Sequence, residues 1–195
     1  MTHADNFRIV TPRLLLRDFV AEDWPAVHAY VSDPEVVRYL MFPPQSEDGT
    51  RQYVARMMGY AHEQPRTRFY LAIVRQQEQE VIGNINLACS GGELGEAQQG
   101  SFSYQLRHDM WGQGFATEAM RAILQFGFAT LKLHRISDFA DPANHASMRV
   151  MEKLGMRREG HMVQNYYTKK RWRDSVVYAI LAEEWRAQQA AQTQE

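Results

Sequence analysis

The sequence has almost no cysteine. Cys89 is the only one among 195 residues, which excludes an internal disulfide framework and leaves no cysteine cluster for a structural zinc ion. The residues that follow it indicate a loop, and nothing nearby marks its thiol as a nucleophile. We therefore expect an incidental thiol and no metal site.

Long apolar runs and an excess of charge are also absent. No run is long enough to cross a bilayer, and the first eight residues lack the apolar core of a signal peptide. The formal net charge is −1, so no global basic field favours nucleic acid or an acidic membrane surface. We expect a cytoplasmic protein that binds neither nucleic acid nor membrane.

What the chain does have is the composition of a globular protein, 45% hydrophobic and 23% charged. Its length of 195 residues fits one domain with a single core. No segment repeats, and no linker divides the chain. We predict one domain over residues 1–195, with a core at about residues 11–182 and a frayed terminal helix over 183–195.

The most informative stretch lies between a strand pattern, Gly100 to Leu106, and a strongly periodic amphipathic helix. It reads Trp111-Gly112-Gln113-Gly114-Phe115-Ala116-Thr117. A loop without side-chain bulk that opens a helix presents unpaired main-chain N–H groups at the positive end of the helix dipole. The stretch is therefore suited to binding phosphate.

Gly-x-Gly alone does not specify the ligand. Thr117 stands where a dinucleotide fingerprint has its third glycine, and the Gly-Lys-Ser/Thr of a nucleotide P-loop is absent. Two interpretations remain equally compatible with the loop by itself. One is a diphosphate held mainly by main chain, and the other is a tight strand-to-helix turn.

A second segment follows the strand pattern of residues 135–140. Asn144 is a natural helix N-cap, Ser147 lies one turn into the helix, and Gly155 is a natural stop after it. Capping accounts for Asn144 and Gly155 without any ligand.

Together the two segments resemble the GNAT superfamily of N-acetyltransferases, over about residues 11–181. The acetyl-coenzyme A loop of that family reads Gln/Arg-x-x-Gly-x-Gly/Ala. Gly114 and Ala116 match its last two fixed positions, and Trp111 stands where Gln or Arg is usual. The family also shows Asn-x-x-Ser, here Asn144 and Ser147, opposite that loop. The aromatic variant is similar to the RimJ/RimL branch, which acetylates protein N-termini, chiefly of ribosomal proteins.

The resemblance implies an α/β (α+β) fold. It is a mixed, mostly antiparallel sheet of six or seven strands, with a splayed central strand pair and helices on both faces. The pantetheine arm of acetyl-coenzyme A would enter the gap between the splayed strands. The coenzyme-binding residues implied by the resemblance are Tyr104, Gln105, Leu106, Trp111, Gly112, Gln113, Gly114, Phe115, Ala116, Thr117, Asn144 and Ser147.

The resemblance also implies catalytic roles. The main-chain N–H of Leu106 or Gln105 would stabilise the oxyanion. Ser147 would help to protonate the leaving thiolate, with Asn144 orienting a water or the pantetheine.

The general base is not determined by the sequence. Related chains often carry an acid two residues before the position of Ser103, and this chain has serine there. The open alternatives, each acting through water, are Glu93, Glu96, His108 and Tyr104.

The predicted function is acetyl-coenzyme A dependent N-acetylation. An α-amine titrates at about 7.7 to 8.0 and a lysine near 10.4, so a site without a strong base favours a protein N-terminus. The alternatives are a small amine acceptor (polyamine, aminoglycoside or amino acid) and a non-catalytic acyl-coenzyme A sensor. The chain would be a monomer or homodimer. The basic turn, residues 169–173, would either be solvated or meet an acidic partner or a coenzyme phosphate.

Overall fold

A computed structural model describes residues 7–91 and 98–192. The strands are β1 (Arg8–Val10), β2 (Leu14–Asp18), β3 (Arg68–Arg75), β4 (Glu80–Ser90), β5 (Gln99–Leu106), β6 (Arg135–Ala140), β7 (Arg157–Thr168) and β8 (Arg171–Leu181). The α-helices are α1 (Trp24–Val31), α2 (Glu47–Ala61), α3 (Phe115–Ala129), α4 (His145–Lys153) and α5 (Ala182–Gln192). Short 3₁₀ turns, Ala21–Asp23 and His108–Met110, precede α1 and the glycine loop.

The described strands form one sheet in the order β1-β2-β3-β4-β5-β6-β8-β7. Every neighbouring pair is antiparallel except β5 and β6. The predicted α/β class is therefore confirmed, with eight strands rather than six or seven. One strand that the sequence did not reveal is β1, because three residues are too few to show an alternating pattern.

The sheet is split at its centre. β5 and β6 pair only through residues 99–101 and 135–137. Beyond them β5 continues along β4 to Leu106, and β6 continues along β8 to Ala140. Gly100 allows close packing where the two strands touch, since a Cβ there would lie 2.8 Å from the Leu133 side chain. The predicted splayed pair is thus present.

Helices cover both faces of the sheet. The apolar stripe of α3, including Met120, Ile123 and Leu124, packs in one buried cluster with side chains of α4 and α5. Side chains of α1 and α2, including Val27 and Val54, form a second cluster on the opposite face. The gap between β5 and β6 therefore connects two differently built sides of the molecule.

Residues 34–40 form turns, and α2 starts at Glu47 because Ser46 caps it by accepting the Gly49 N–H at 3.2 Å. One local prediction was wrong. The C-terminal helix α5 is packed rather than frayed in its first turns. Trp185 there is 2% exposed, and its indole donates to Gln125 Oε1 at 3.0 Å.

Candidate active site

The glycine loop reaches α3 through two left-handed residues. Gly112 has φ +75° and Gly114 has φ +83°, and Gly114 is the N-cap of α3. Side chains rarely adopt this conformation, so both glycines are required by the path of the backbone. No side chain caps the helix at this end.

The main-chain N–H groups of residues 112–117 have no acceptor in the part of the chain that the structure describes. The first hydrogen bond of α3 runs from Glu118 N to the Gly114 carbonyl oxygen at 3.0 Å. The N–H groups of the preceding residues therefore remain available at the positive end of the helix. This arrangement fits a diphosphate.

The loop is held from outside by Arg13 and Glu118. Glu118 accepts hydrogen bonds from the Thr11 hydroxyl at 2.6 Å and the Arg13 main chain at 2.9 Å. The Arg13 guanidinium contacts Glu118 at 2.6 Å and the Gln113 carbonyl oxygen at 3.0 Å. Burial by itself would raise the pKa of Glu118. The hydrogen bonds from Thr11 and Arg13 outweigh this effect, so the pKa is lowered. Sequence reasoning missed this clamp, because its partners lie over a hundred residues apart.

Trp111 anchors the loop to the end of β5. Its indole N–H donates to the Leu106 carbonyl oxygen at 2.9 Å, and its ring packs against His108. This bond fixes the distance between the end of β5 and the start of α3. A structural role for the aromatic residue at this position is therefore visible, although its predicted contact with the coenzyme stays a prediction.

The register of β5 decides between the two candidate oxyanion donors. Arg107 N donates to the Ile82 carbonyl oxygen at 2.8 Å, so alternate residues of β5 point their N–H groups toward β4. Gln105 belongs to that set and pairs with Asn84. The Leu106 N–H points the other way, into the gap. The Leu106 N–H therefore remains the candidate oxyanion donor. The alternative, the Gln105 N–H, points toward β4 and away from the gap.

Ser147 and Tyr104 meet across the gap. The Tyr104 hydroxyl donates to Ser147 Oγ at 3.3 Å. Burial raises the Tyr104 pKa, the Ser147 bond lowers it, and the negative charge of Asp138 raises it, so the phenol stays protonated at neutral pH. The two hydroxyls form a short relay on the α4 side of the site.

Asn144 caps α4 as predicted. Its side-chain oxygen accepts the Ser147 N–H at 3.1 Å. That oxygen is occupied, so orientation of a ligand would fall to the side-chain NH₂ group. The Ser147 hydroxyl takes no part in the cap and remains free for chemistry.

Asp138 is a carboxyl group that sequence reasoning missed. It follows the last β5–β6 pair, Ser101 with Ser137, and faces Tyr178 on β8. Its Oδ1 accepts the Phe139 N–H at 2.8 Å, and burial raises its pKa to about 8. A carboxyl group beside Tyr104 whose pKa lies near neutral pH can hold a proton. An aspartate inside a strand gives no sequence signal for this environment.

A cavity of about 610 Å³ lies along the gap. The residues named as coenzyme-binding line it, except Gln113, whose side chain bonds back to the Asp109 carbonyl oxygen at 2.8 Å. The opposite wall is the turn segment after α1, including Glu35, Arg38 and Tyr39. The predicted residues are thus brought together around one space.

The candidate bases are not resolved by this geometry. His108 does not line the cavity, and its ring faces Asp33 at 3.8 Å. Glu93 and Glu96 lie outside the described residues. Glu35 is the one carboxylate along the cavity within the described chain, and the sequence offered no reason to single it out.

The basic turn is partly engaged inside the protein. Lys169 Nζ donates to the Val37 carbonyl oxygen at 2.6 Å, and Arg173 pairs with Asp141. The Thr168 hydroxyl adds a bond to the Met41 carbonyl oxygen at 2.9 Å. These contacts fix the turn segment that walls the cavity, which the two earlier interpretations of the turn did not include.

In the described chain no helix is long and apolar enough to cross a membrane.

Comparison with known proteins agrees with this geometry. Residues 13–157 match the family model described as the acetyltransferase (GNAT) domain. The chain is 34% identical over 177 residues to an uncharacterized N-acetyltransferase, YnaD, from Bacillus subtilis, covering 91% of this chain and 98% of that protein. A GNAT-family acetyltransferase from Bacillus anthracis superposes with TM-score 0.79 at 35% identity, covering 91% of this chain and all of the other. The chain belongs to the GNAT family and is an N-acetyltransferase.

More distant matches have different acceptors. The [ribosomal protein uS5]-alanine N-acetyltransferase of Escherichia coli is 27% identical over 122 residues, covering 60% of this chain and 59% of that protein. A spermidine N-acetyltransferase from Vibrio cholerae, solved with CoA and spermine, has TM-score 0.74 at 21% identity, covering 90% of this chain and 99% of the other. The second is a likeness of fold alone. The family is therefore shown, whereas the acceptor is a separate question.

Proposed function

We propose that this protein transfers the acetyl group of acetyl-coenzyme A to the N-terminal α-amine of a protein. The observation that carries the proposal is the row of free N–H groups at residues 112–117, adjoining a gap into which Leu106 directs its own N–H. Main-chain donors at both places suit the diphosphate and the thioester carbonyl of one elongated substrate.

The chain's residues then divide the work. The N–H groups of the glycine loop bind the diphosphate, and the edge of β5 opposite β4 pairs with the pantetheine amides. The Leu106 N–H donates to the oxygen that becomes negative as the amine adds. The Tyr104–Ser147 hydroxyl pair, 3.3 Å apart, supplies a proton toward the leaving sulfur.

The charges along the cavity support a singly charged acceptor. Within the described chain the lining carries one carboxylate, Glu35, against the cations Arg38, Arg149 and Lys153. A polyamine would have to place several positive charges there without an acidic cluster to pair with. An α-amine, with a pKa of about 7.7 to 8.0, is partly neutral at cellular pH and needs little help from a base.

A thiol-release assay tests the proposal. The purified protein is given acetyl-coenzyme A and peptides that begin with Ala, Ser or Met, beside spermidine, an aminoglycoside and free amino acids. The same peptides with blocked N-termini are the matched controls. We expect turnover with at least one free peptide and none with its blocked form.

Two results would contradict the proposal. Faster turnover of a small amine than of every peptide would favour small-molecule acetylation. Tight coenzyme binding by calorimetry, without turnover of any acceptor, would favour a sensor.

A further inference from the structure

A strip of polar side chains interrupts the apolar face of the sheet beneath α1 and α2. It consists of two cross-strand pairs, Asn84 with Gln105 and Asn86 with Ser103. The neighbouring side chain Ala72 of β3 pairs with Asn84 and belongs to the buried cluster under these helices. Polar groups at the centre of such a face are costly unless they find hydrogen-bond partners.

One pair is satisfied and the other is not. The Asn86 amide donates to the Ser103 hydroxyl. By contrast, Oε1 of Gln105 is buried without a hydrogen-bond partner in the described chain. Asn84 is 0% exposed and Gln105 is 8% exposed. A buried amide oxygen without a partner in the protein is a candidate for a hydrogen bond to a ligand.

Gln105 is the member of this pair that reaches the cavity. It lines the cavity directly, whereas Asn84 lies one strand further in. Because side chains alternate along a strand, Gln105 projects to the α1 and α2 side, and its neighbour Leu106 projects to the α3 side. The Gln105 amide is thus next in sequence to the oxyanion donor, on the sheet face away from Ser147.

We propose that the side-chain carbonyl of Gln105 accepts a hydrogen bond from the attacking amine. This inference rests on the proposed function and names the recognition element of its acceptor. As the nitrogen adds to the carbonyl carbon it becomes positive, and an amide oxygen stabilises that charge. A neutral amide can bind one amine. It does not create the negative electrostatic potential that binding of a polycation requires. The acceptor class is therefore a single amine, as at a peptide N-terminus.

Two substitutions at this residue test the proposal in opposite directions. Gln105→Leu removes the acceptor atom, and kcat/KM for the preferred peptide should fall by roughly 10-fold or more, while the Kd for acetyl-coenzyme A stays unchanged. Gln105→Glu adds a full negative charge. The ratio of kcat/KM for spermidine to that for the peptide should then rise by about 10-fold. Gln52→Leu, at an exposed position of α2, is the matched control and should leave both values unchanged.

The outcomes separate this inference from the function on which it rests. Wild-type turnover of a peptide together with an unchanged kcat/KM in Gln105→Leu would overturn the role of Gln105 and leave the proposed function intact. A wild-type protein without turnover of any amine would overturn both. Melting temperatures of the variants exclude loss of the fold as the cause, and an apolar side chain in place of an unpaired amide should not lower them.

Discussion

The two sides of the central gap offer a ligand different kinds of hydrogen-bonding group. On the α3 side a ligand would meet the main-chain N–H groups of residues 112–117 and of Leu106, together with the Tyr104 and Ser147 hydroxyls. On the α1 and α2 side the available groups are side chains, above all the amide of Gln105. In the proposed function, the first side binds the coenzyme and the second side meets the acceptor amine.

The two kinds of group should respond differently to substitution. A main-chain N–H is present in every residue except proline, so the α3 side depends on backbone conformation more than on residue type. The α1 and α2 side changes its chemistry with each substitution. Substitutions on the two sides should therefore affect different measured quantities.

The largest effect is expected from Gly114→Val. A branched side chain at φ +83° is strained, and it would move the N–H groups that start α3. We expect the Kd for acetyl-coenzyme A to rise by at least ~100-fold, measured by calorimetry. Gly59→Val, at a helical glycine with open space around its Cβ position, is the control. An unchanged Kd in Gly114→Val would contradict a role for the main-chain N–H groups of this loop in binding the coenzyme.

Ser147→Ala should act on turnover instead of binding. The cap of α4 uses the Ser147 main chain, so the substitution removes only the hydroxyl bonded to Tyr104. We expect kcat to fall by about 10- to 100-fold and the Kd for acetyl-coenzyme A to change by less than ~2-fold. Steady-state kinetics and calorimetry on the same preparation measure both. An unaltered kcat would remove Ser147 from the mechanism.

Glu118→Ala should lower stability by loosening the clamp around the glycine loop. We expect a loss of about 2 kcal/mol, or a Tm lower by ~4–8 °C. Because the Glu118 pKa is lowered in the fold, its contribution is present above the unfolded pKa of about 4.3 and is lost as pH falls through the folded value. The difference in Tm from wild type should accordingly shrink in acid. Glu78→Ala removes a carboxylate that is more exposed (38% against 16% for Glu118) and pairs with Arg75, so it should cost less.

The effect of Asp138→Asn is expected to be on stability alone, and its size should depend on pH. The folded pKa is raised to about 8 because burial disfavours the charge, so the wild-type fold loses stability as pH rises from the unfolded pKa of about 3.9 toward 8. The amide carries no such penalty. At pH 9 the free energy of unfolding of Asp138→Asn should exceed that of wild type by at least ~1 kcal/mol, with a higher Tm, and the difference should shrink toward pH 4. An equal stability difference at both pH values would show that burial does not disfavour the charged form of Asp138.

The sequence was informative where a local pattern carries the structure. Gly114 at the start of α3 and Asn144 at the start of α4 were predicted from spacing and capping preferences, and both take those positions. It was uninformative where partners are distant. The Arg13–Glu118 clamp and the environment of Asp138 depend on segments that meet only in the folded chain.

The sequence by itself determined the family, the glycine loop that precedes α3 and the helices that begin at Gly114 and Asn144. Glycine conformation and helix capping are local properties that a few consecutive residues encode. Only the tertiary structure decided that Leu106, and not Gln105, directs its N–H into the gap, and that the Gln105 side chain remains unpaired beside Asn84. Both depend on the register between β4 and β5, and a shift of one residue would exchange the faces of every side chain.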